Sequence, residues 1–260
     1  MKYLCEIRYV GTHFSGFQVQ PARRTVQGVL TEAAEKVFGC TVLVTGASRT
    51  DSGVHAEGFC LTLEPSNGVL RIPPENLPLA FREHLPPDLS LASARIVSDG
   101  FHPRYDAKWK EYRYTVHASR VADPFLYCRA WHMPVPFLPD ALERMNEAAS
   151  YLIGTHDFSA FRSEGSPTRS PVRTIFDCGV TKTGALYTVT VRGDGFLYNM
   201  VRIIAGTLVS VATGQMEPCR VKEILASGKR TAAGPTAPPE GLSLCRVHYD
   251  EADFSKQTRQ

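Results

Sequence analysis

The alternation of strand-like and helix-like runs is the sequence feature that most constrains this fold. Residues 2–10 and 41–45 are rich in β-branched and aromatic side chains, which predicts strands. Between them, apolar residues recur at helical spacing from Val26 to Phe38, and Gly39 then provides a helix stop signal. The chain thus opens with a predicted β-α-β unit, and its overall element order predicts an α+β fold. Further strands are predicted at 57–64, 89–97, 107–117, 172–182, 185–192 and 243–249, and further helices at 75–84, 139–153, 197–213 and 218–227.

Composition places the chain among ordinary globular proteins. Its 260 residues predict one or two domains, and 43% hydrophobic with 21% charged residues excludes a disordered or fibrous chain. The net charge of +3 is too small to identify an acidic partner. Its distribution says more, because residues 1–105 carry 10 basic and 10 acidic side chains, whereas residues 106–260 carry 19 and 16. We predict a domain boundary near Tyr105, giving an N-terminal domain of 1–105 and a C-terminal domain of 106–260.

Cysteine spacing and the N-terminal residues bear on location and metal binding. The seven cysteines are scattered, with no CxxC pair and no histidine at ligand spacing. This pattern predicts a reducing compartment and no metal site. No apolar run approaches the roughly 18–20 residues of a membrane span, and Glu6 lies where a signal peptide needs its apolar core. We expect a cytoplasmic protein that does not enter a membrane.

The densest polar information lies in residues 46–58, between two predicted strands. Arg49, Asp51 and His55 would be presented there on a loop by a rigid sheet, a placement that suits catalysis. An arginine two residues from an aspartate favours the ionised carboxylate, which can act as a nucleophile or general base. The other interpretation is that Asp51 caps a turn before Gly53 and Arg49 is a surface partner. The residues alone leave both open.

Residues 101–114 interleave five aromatic with four basic side chains. In an extended strand, Lys108, Lys110, Tyr112 and Tyr114 would share one face. An aromatic and basic face can stack on bases and meet phosphates. The alternative, which these residues alone favour, is a half-buried strand whose tyrosines belong to the core.

Arg202 is the anomaly of the strongly apolar predicted helix at 197–213. A buried guanidinium is costly without a partner, so Arg202 must reach the surface or pair with a buried acid that the sequence alone does not identify. Arg162 poses a similar question at the start of a basic stretch, 162–173. We predict that this stretch and the Gly-, Ala- and Pro-rich stretch 228–241 are mobile loops.

Several segments together resemble the TruA family of tRNA pseudouridine synthases, in the family's order and over nearly the whole chain. Residues 46–56 (GASRTDSGVHA) are similar to the signature AGRTDAGVHA. The early stretch 11–18 resembles the family's strand-turn ending in GWQ, and 25–27 its SVQ helix start. The remaining matches are 101–105 with 110–114 (FHAR and YRY), 157–162 (DFxxFR), 199–206 (NMVRxIxG) and 240–242 (EGL).

The resemblance implies a catalytic role for Asp51 as the nucleophile, with Arg49 and Arg202 as supporting residues and Arg202 paired with Asp51. It implies that Tyr112 stacks on the target uracil and that Leu242 lines the pocket. We add Lys110, Arg162, Arg169 and Arg173 as candidate tRNA contacts.

The implied reaction isomerises uridine to pseudouridine in the tRNA anticodon arm, at positions 38, 39 and 40, and needs no cofactor. The implied enzyme is a homodimeric isomerase. Its fold is two similar α+β halves that share one extended, mainly antiparallel sheet flanked by helices.

The chain departs from the family pattern at four positions. Phe17 replaces a tryptophan, Val19 replaces a common arginine and so removes a phosphate contact, and Ser48 and Ser52 replace glycine and alanine. Ser48 matters most, because glycine permits a backbone conformation that serine resists. Two alternatives follow: a synthase of this family that acts on another RNA, or a non-catalytic RNA-binding protein on the same fold.

Overall fold

The computed structural model describes residues 1–165 and 170–255. The chain divides into two compact units, the first formed by Met1–Lys108 with Leu244–Gln260 and the second by Trp109–Ser243.

The first unit is an antiparallel sheet with two helices. Its central strand, β3, is flanked by β1 and β2, so that Leu63 lies opposite both Tyr3 and Val44. β1 and β2 are therefore not neighbours, and α1 connects two strands that each pair with β3 instead of with each other. β4 pairs with β1 at one edge, and β10 also lies beside β3. The elements are β1 Lys2–Tyr9, α1 Val26–Phe38, β2 Val42–Gly46, β3 His55–Pro65, α2 Leu77–Arg82, β4 Leu89–Val97 and β10 Leu242–His248, of which the residues from Leu244 onwards belong to this unit.

Local sequence explains the bounds of α1. Thr25 has extended backbone angles, and its side chain accepts a hydrogen bond from the Gly28 N–H, as an N-cap does. Gly39 ends the helix in the left-handed region at φ 66°. The buried residues Val26, Leu30, Ala33 and Ala34 share one helix face, as their spacing predicts.

The second unit contains the strand order β5-β9-β8-β7. Its neighbouring strands are antiparallel, and the short β6 adds a parallel pairing to β5. The α+β class with mainly antiparallel strands is confirmed. The elements are β5 Trp109–Ala118, β6 Trp131–Met133, α3 Ala141–Ser150, β7 Gly154–Asp157, β8 Val172–Thr183, β9 Leu186–Gly193, α4 Met200–Ala212 and α5 Arg220–Ser227.

In the described part of the chain, no helix combines the length and the apolar character that a membrane crossing needs. Residues 1–165 and 170–255 also contain no group of three or more His, Cys, Asp or Glu side chains that could hold a metal ion.

Candidate active site

Asp51 lies in the loop that joins β2 to β3 in the first unit. Its carbonyl oxygen accepts a hydrogen bond from the Val54 N–H at 3.2 Å, which closes a tight turn. Gly53 occupies the left-handed region within this turn, at φ 80°. Asp51 itself is half-buried. The loop thus presents a partly solvated carboxylate from a turn whose two ends are held by strands.

The segment 11–17 packs against this loop and is hydrogen bonded to it through its own backbone groups. The Phe17 N–H donates to the Thr50 carbonyl at 3.1 Å, and the Ser52 hydroxyl donates to the Phe14 carbonyl at 3.2 Å. A Cβ atom on Gly11 would lie 2.0 Å from the Val54 carbonyl oxygen, and one on Gly16 would lie 2.7 Å from the Thr50 carbonyl oxygen. Both glycines are therefore required by the close approach of the two backbones.

Two buried polar side chains anchor the loop to the sheet. The Thr50 hydroxyl hydrogen bonds to the Tyr9 hydroxyl, and His55 Nδ1 accepts a 3.0 Å bond from the Gly11 N–H. Because Nδ1 is an acceptor, the His55 ring carries its proton on Nε2 in this arrangement. The residues on either side of the Asp51 turn are thus held in place through hydrogen bonds to β1 and to residue 11.

Two residues of this loop lack a feature that their sequence positions suggest. For Arg49 the feature is a bonded carboxylate, and for Ser48 it is a strained backbone. Arg49 is exposed, and it forms no ion pair or hydrogen bond with any residue in the ranges 1–165 and 170–255. Ser48 does not have a positive φ, so the loop needs no glycine there. Replacement of the family's glycine by Ser48 is compatible with the loop conformation.

Arg202 lies in the first turn of α4 in the second unit. Every other residue of that helix is buried, whereas Arg202 is half-buried. Its Nε donates to the Ala237 carbonyl at 2.7 Å, and its Nη1 donates to Asn199 Oδ1 at 2.8 Å. These two bonds set the direction of the guanidinium.

The stretch 228–241, predicted to be a mobile loop, is packed against α4. Ala237 is buried, and its N–H donates to the Arg202 carbonyl at 3.1 Å. A Cβ atom on Gly206 would lie 1.9 Å from the Pro235 carbonyl oxygen, which shows how closely the two backbones approach. Arg230 adds bonds to the Gly234 carbonyl and to the Thr236 hydroxyl. The small residues of this stretch therefore serve close packing beside Arg202.

β5 presents Lys110, Tyr112 and Tyr114 on its buried face, as alternation along the strand predicts. Tyr112 is 6% exposed, and its ring meets the Phe196 ring edge to face at a centroid distance of 5.0 Å. The side chain of Lys110 is also buried.

Tyr114 and Leu242 are two further buried residues of the second unit. The Tyr114 hydroxyl donates to the Pro238 carbonyl at 2.7 Å. Burial raises the pKa of Tyr114 far above its ordinary range; the nearby Glu240 adds to this effect, and Arg202 opposes it. Tyr114 therefore stays protonated as a donor. Leu242 is buried at the start of β10.

Two of the three arginines of the basic stretch 162–173 lie among the described residues. Arg162 and Arg173 are half-buried, and Arg173 Nη1 donates to the Ser170 carbonyl at 3.0 Å. Arg169 lies outside the described residues.

Sequence reasoning did not identify Asn199, Tyr9 or Thr50 as parts of the site. Asn199 occupies the left-handed region at φ 60°, immediately before α4. An asparagine at the start of an apolar helix, three residues before the anomalous arginine, was the signal that could have pointed to it. Tyr9 and Thr50 are 41 residues apart, so no local pattern connects them.

The geometry of the first unit defines an α+β protein with a carboxylate presented on a rigid loop. A family model described as tRNA pseudouridine synthase matches residues 7–106 and 148–250. These ranges contain Asp51, Arg202 and Leu242, whereas Tyr112 lies between them.

Relatives named tRNA pseudouridine synthase A match nearly the whole chain. One from Thermoanaerobacter sp. (strain X514) is 43% identical over 243 residues, which cover 94% of this chain and 97% of the relative. One from Bacillus subtilis (strain 168) is 42% identical over 252 residues, which cover 96% and 100%. One from Brevibacillus brevis is 42% identical over 245 residues, which cover 94% and 98%. The chain belongs to the tRNA pseudouridine synthase family.

Proposed function

We propose that the protein isomerises uridine to pseudouridine within tRNA. The observation that carries the proposal is the family membership of the chain. In addition, hydrogen bonds of Thr50 and His55 hold the loop of Asp51 on both sides. In the reaction the N1–C1′ bond of a uridine breaks and a C5–C1′ bond forms, while a proton leaves C5 and N1 gains one. The net change is an isomerisation, which requires no cofactor.

Asp51 is the proposed nucleophile. A carboxylate can form a covalent intermediate that divides the bond exchange into two easier steps. The half-buried position of Asp51 supports this role, because it leaves the residue partly accessible while the turn fixes its backbone. Arg49 is the proposed neighbouring support, and its exposed guanidinium is suited to meet the RNA backbone.

Arg202 is the proposed ion-pair partner of Asp51. The support for this role is its place in the segment 199–206, which is similar to the family's NMVRxIxG, together with two hydrogen bonds, to Ala237 and Asn199, that set the direction of the guanidinium.

Tyr112 and Leu242 are the proposed contacts to the target uracil. A uridine must leave its stack to reach an enzyme carboxylate, which costs a few kcal/mol. Stacking on an aromatic ring returns about 1–3 kcal/mol per base. The edge contact from Phe196 supports this role for Tyr112, because it restrains the plane of the ring.

The remaining contacts extend along the tRNA. We assign phosphate contacts to Lys110, Arg162, Arg169 and Arg173, and we take the target positions to be 38, 39 and 40 of the anticodon arm. We also propose that the protein acts as a homodimer in the cytoplasm. These assignments are what the family resemblance of the sequence implies, and the likeness to tRNA pseudouridine synthase A relatives over their full length supports the choice of tRNA as substrate.

Tritium release tests the function directly. A tRNA labelled at C5 of uridine loses tritium when pseudouridine forms, and we expect release with the wild-type protein and none above background with Asp51→Asn. Asp99→Asn is the matched control, because Asp99 is exposed and pairs only with the N-terminal amine among the described residues.

The outcomes of this assay separate the alternatives. Full activity of Asp51→Asn contradicts the proposed role of the aspartate. Salt-dependent tRNA binding without any tritium release by the wild type indicates a binding protein instead of an enzyme. Release only from another RNA indicates a different substrate.

A further inference from the structure

Asn199 combines an unusual backbone with a side-chain amide that is hydrogen bonded at both its oxygen and its nitrogen. It is one of three non-glycine residues with positive φ among residues 1–165 and 170–255, and its angles are φ 60° and ψ 8°. It stands at the N-cap of α4, yet its side chain makes no capping bond to the helix. A residue held in a sparsely populated conformation at a helix start, with its amide directed elsewhere, suggests that the amide is needed there.

The amide of Asn199 links two other side chains. Its Oδ1 accepts the 2.8 Å bond from Arg202 Nη1, and its Nδ2 donates a 3.0 Å bond to the Ser163 hydroxyl. The orientation of the amide follows from the partners, because a guanidinium only donates and so must face the oxygen. The nitrogen is then left for Ser163. One amide thus connects Arg202 to the residue that follows Arg162.

Arg202 donates hydrogen bonds from two different nitrogens in these contacts. Ala237 takes Nε and Asn199 takes Nη1, so the plane of the guanidinium is set by two acceptors. Removal of either acceptor takes away one of these two restraints on the orientation of the guanidinium. Ser163 restrains Asn199 in turn, since the Ser163 N–H also donates to the Tyr198 carbonyl at 3.1 Å.

We propose that Asn199 is a positioning residue, which orients the Arg202 guanidinium for the reaction. Through its bond to Ser163, Asn199 also couples the position of Ser163 to that of the guanidinium. This inference rests on the proposed function, in which Arg202 supports Asp51. In this proposal Asn199 contacts neither the substrate nor the reacting atoms. Its effect on the chemical step passes through Arg202.

Asn199→Gly is the informative variant, because glycine adopts positive φ freely and the backbone of the helix start is kept. Only the two side-chain bonds are removed. We expect kcat for tritium release to fall about 10- to 100-fold, the effect of losing one hydrogen bond to a charged group. We expect KM for tRNA to change less than about 3-fold, and the thermal midpoint to stay near that of the wild type.

A double-mutant cycle distinguishes positioning from general structural support. Lysine cannot offer the Nε and Nη1 geometry, so Asn199→Gly should have little further effect on kcat in an Arg202→Lys background. Ser163→Ala should lower kcat less than Asn199→Gly, since the bond from Arg202 to Asn199 remains. Asn67→Gly, the same substitution in an exposed turn, is the control and should leave kcat unchanged.

Two results overturn the inference: an unchanged kcat in Asn199→Gly, or an equal loss of kcat in the wild-type and Arg202→Lys backgrounds. Absence of tritium release by the wild-type protein is a different result, which contradicts the proposed function itself.

Discussion

The hydroxyl groups of Tyr9 and Thr50 form a 2.7 Å hydrogen bond inside the first unit. Tyr9 ends β1 and Thr50 precedes Asp51, and both side chains are buried. The loop of the proposed nucleophile is therefore tied to the sheet by a side-chain bond as well as by its backbone.

Removal of the Tyr9 hydroxyl should loosen this connection. Tyr9→Phe keeps the ring contacts with Phe14 and Phe59 but leaves the Thr50 hydroxyl without this partner. We expect the free energy of unfolding to fall by about 1–3 kcal/mol, the cost of a buried polar group that loses its bond. Urea unfolding of the variant and the wild type measures this decrease. Equal midpoints would show that the bond contributes nothing.

Gly11 should tolerate no side chain. In Gly11→Ala the new Cβ would lie 2.0 Å from the Val54 carbonyl oxygen, so the segment 11–17 and the Asp51 turn must move apart. We expect a loss of about 1–3 kcal/mol or more from overpacking, with reduced tritium release. Gly179→Ala is the control, because a Cβ there meets only Asn146 Oδ1, at an ordinary 3.6 Å. Similar stability of the two variants would contradict the expected clash.

The ion pair of Arg24 and Asp88 should make stability depend on acid pH. Two hydrogen bonds of 2.7 and 2.9 Å from Arg24 lower the pKa of the Asp88 carboxyl below its ordinary value of 3.8. A lowered pKa in the folded state adds stability above the unfolded pKa, and this contribution is lost as pH falls below it.

Arg24→Lys checks this dependence, because lysine loses the paired geometry. We expect a loss of up to about 1 kcal/mol at pH 7, since the pair is partly exposed. The difference from the wild type should shrink from pH 4 downwards in urea titrations. Arg82→Lys, in an exposed pair with Glu83, is the control and should be neutral. A difference that stays constant down to pH 2 would contradict the linkage.

Cys178 should reduce stability at alkaline pH. Burial, with a smaller effect from Asp177, raises the pKa of this thiol from 9.0 to about 12. A raised pKa in the folded state gives a contribution that is complete below pH 9 and is lost as pH rises towards 12. Cys178→Ala should therefore show a weaker decline of the free energy of unfolding between pH 9 and pH 10.5. Cys219→Ala, at an exposed cysteine, should decline as the wild type does. An identical decline in both variants would remove Cys178 as a cause.

The basic loop should be visible in the salt dependence of tRNA binding. Replacing Arg162, Arg169 and Arg173 by glutamine should weaken binding and flatten the plot of log K against log salt by about 0.7–0.9 for each phosphate that is no longer neutralised. Filter binding at several salt concentrations measures both effects. Three exposed or paired arginines elsewhere, Arg82, Arg95 and Arg220, provide a charge-matched control triple. Unchanged affinity of the loop variant at low salt would contradict its role.

Most long elements could be predicted because their periodicity and end signals are local. α1 begins and ends where Thr25 and Gly39 indicate. The helix predicted at 197–213 begins only at Met200, because Asn199 adopts a left-handed conformation that apolar spacing does not reveal. β6 and β7 were missed because they have three and four residues, too few to show alternation.

The candidate site was predictable only in part. The Asp51 loop could be located from its polar residues and its place between strands, and Arg202 stood out as a charge in an apolar helix. The Ala237 acceptor of Arg202 could not be found, because it lies 35 residues away and is a backbone carbonyl. Carbonyl acceptors have no signature in side-chain chemistry.

The near-complete burial of α4 affects how readily the Arg202 guanidinium loses its orientation. Amide protons in such a helix exchange with solvent only through large openings, whereas loops and helix ends exchange through small local ones. Arg202 lies in the first turn of α4, but its neighbours Val201 and Ile203 are buried, and so is its acceptor Ala237. We therefore expect the burial around this turn to slow the loss of the guanidinium's orientation relative to the motions of exposed loops.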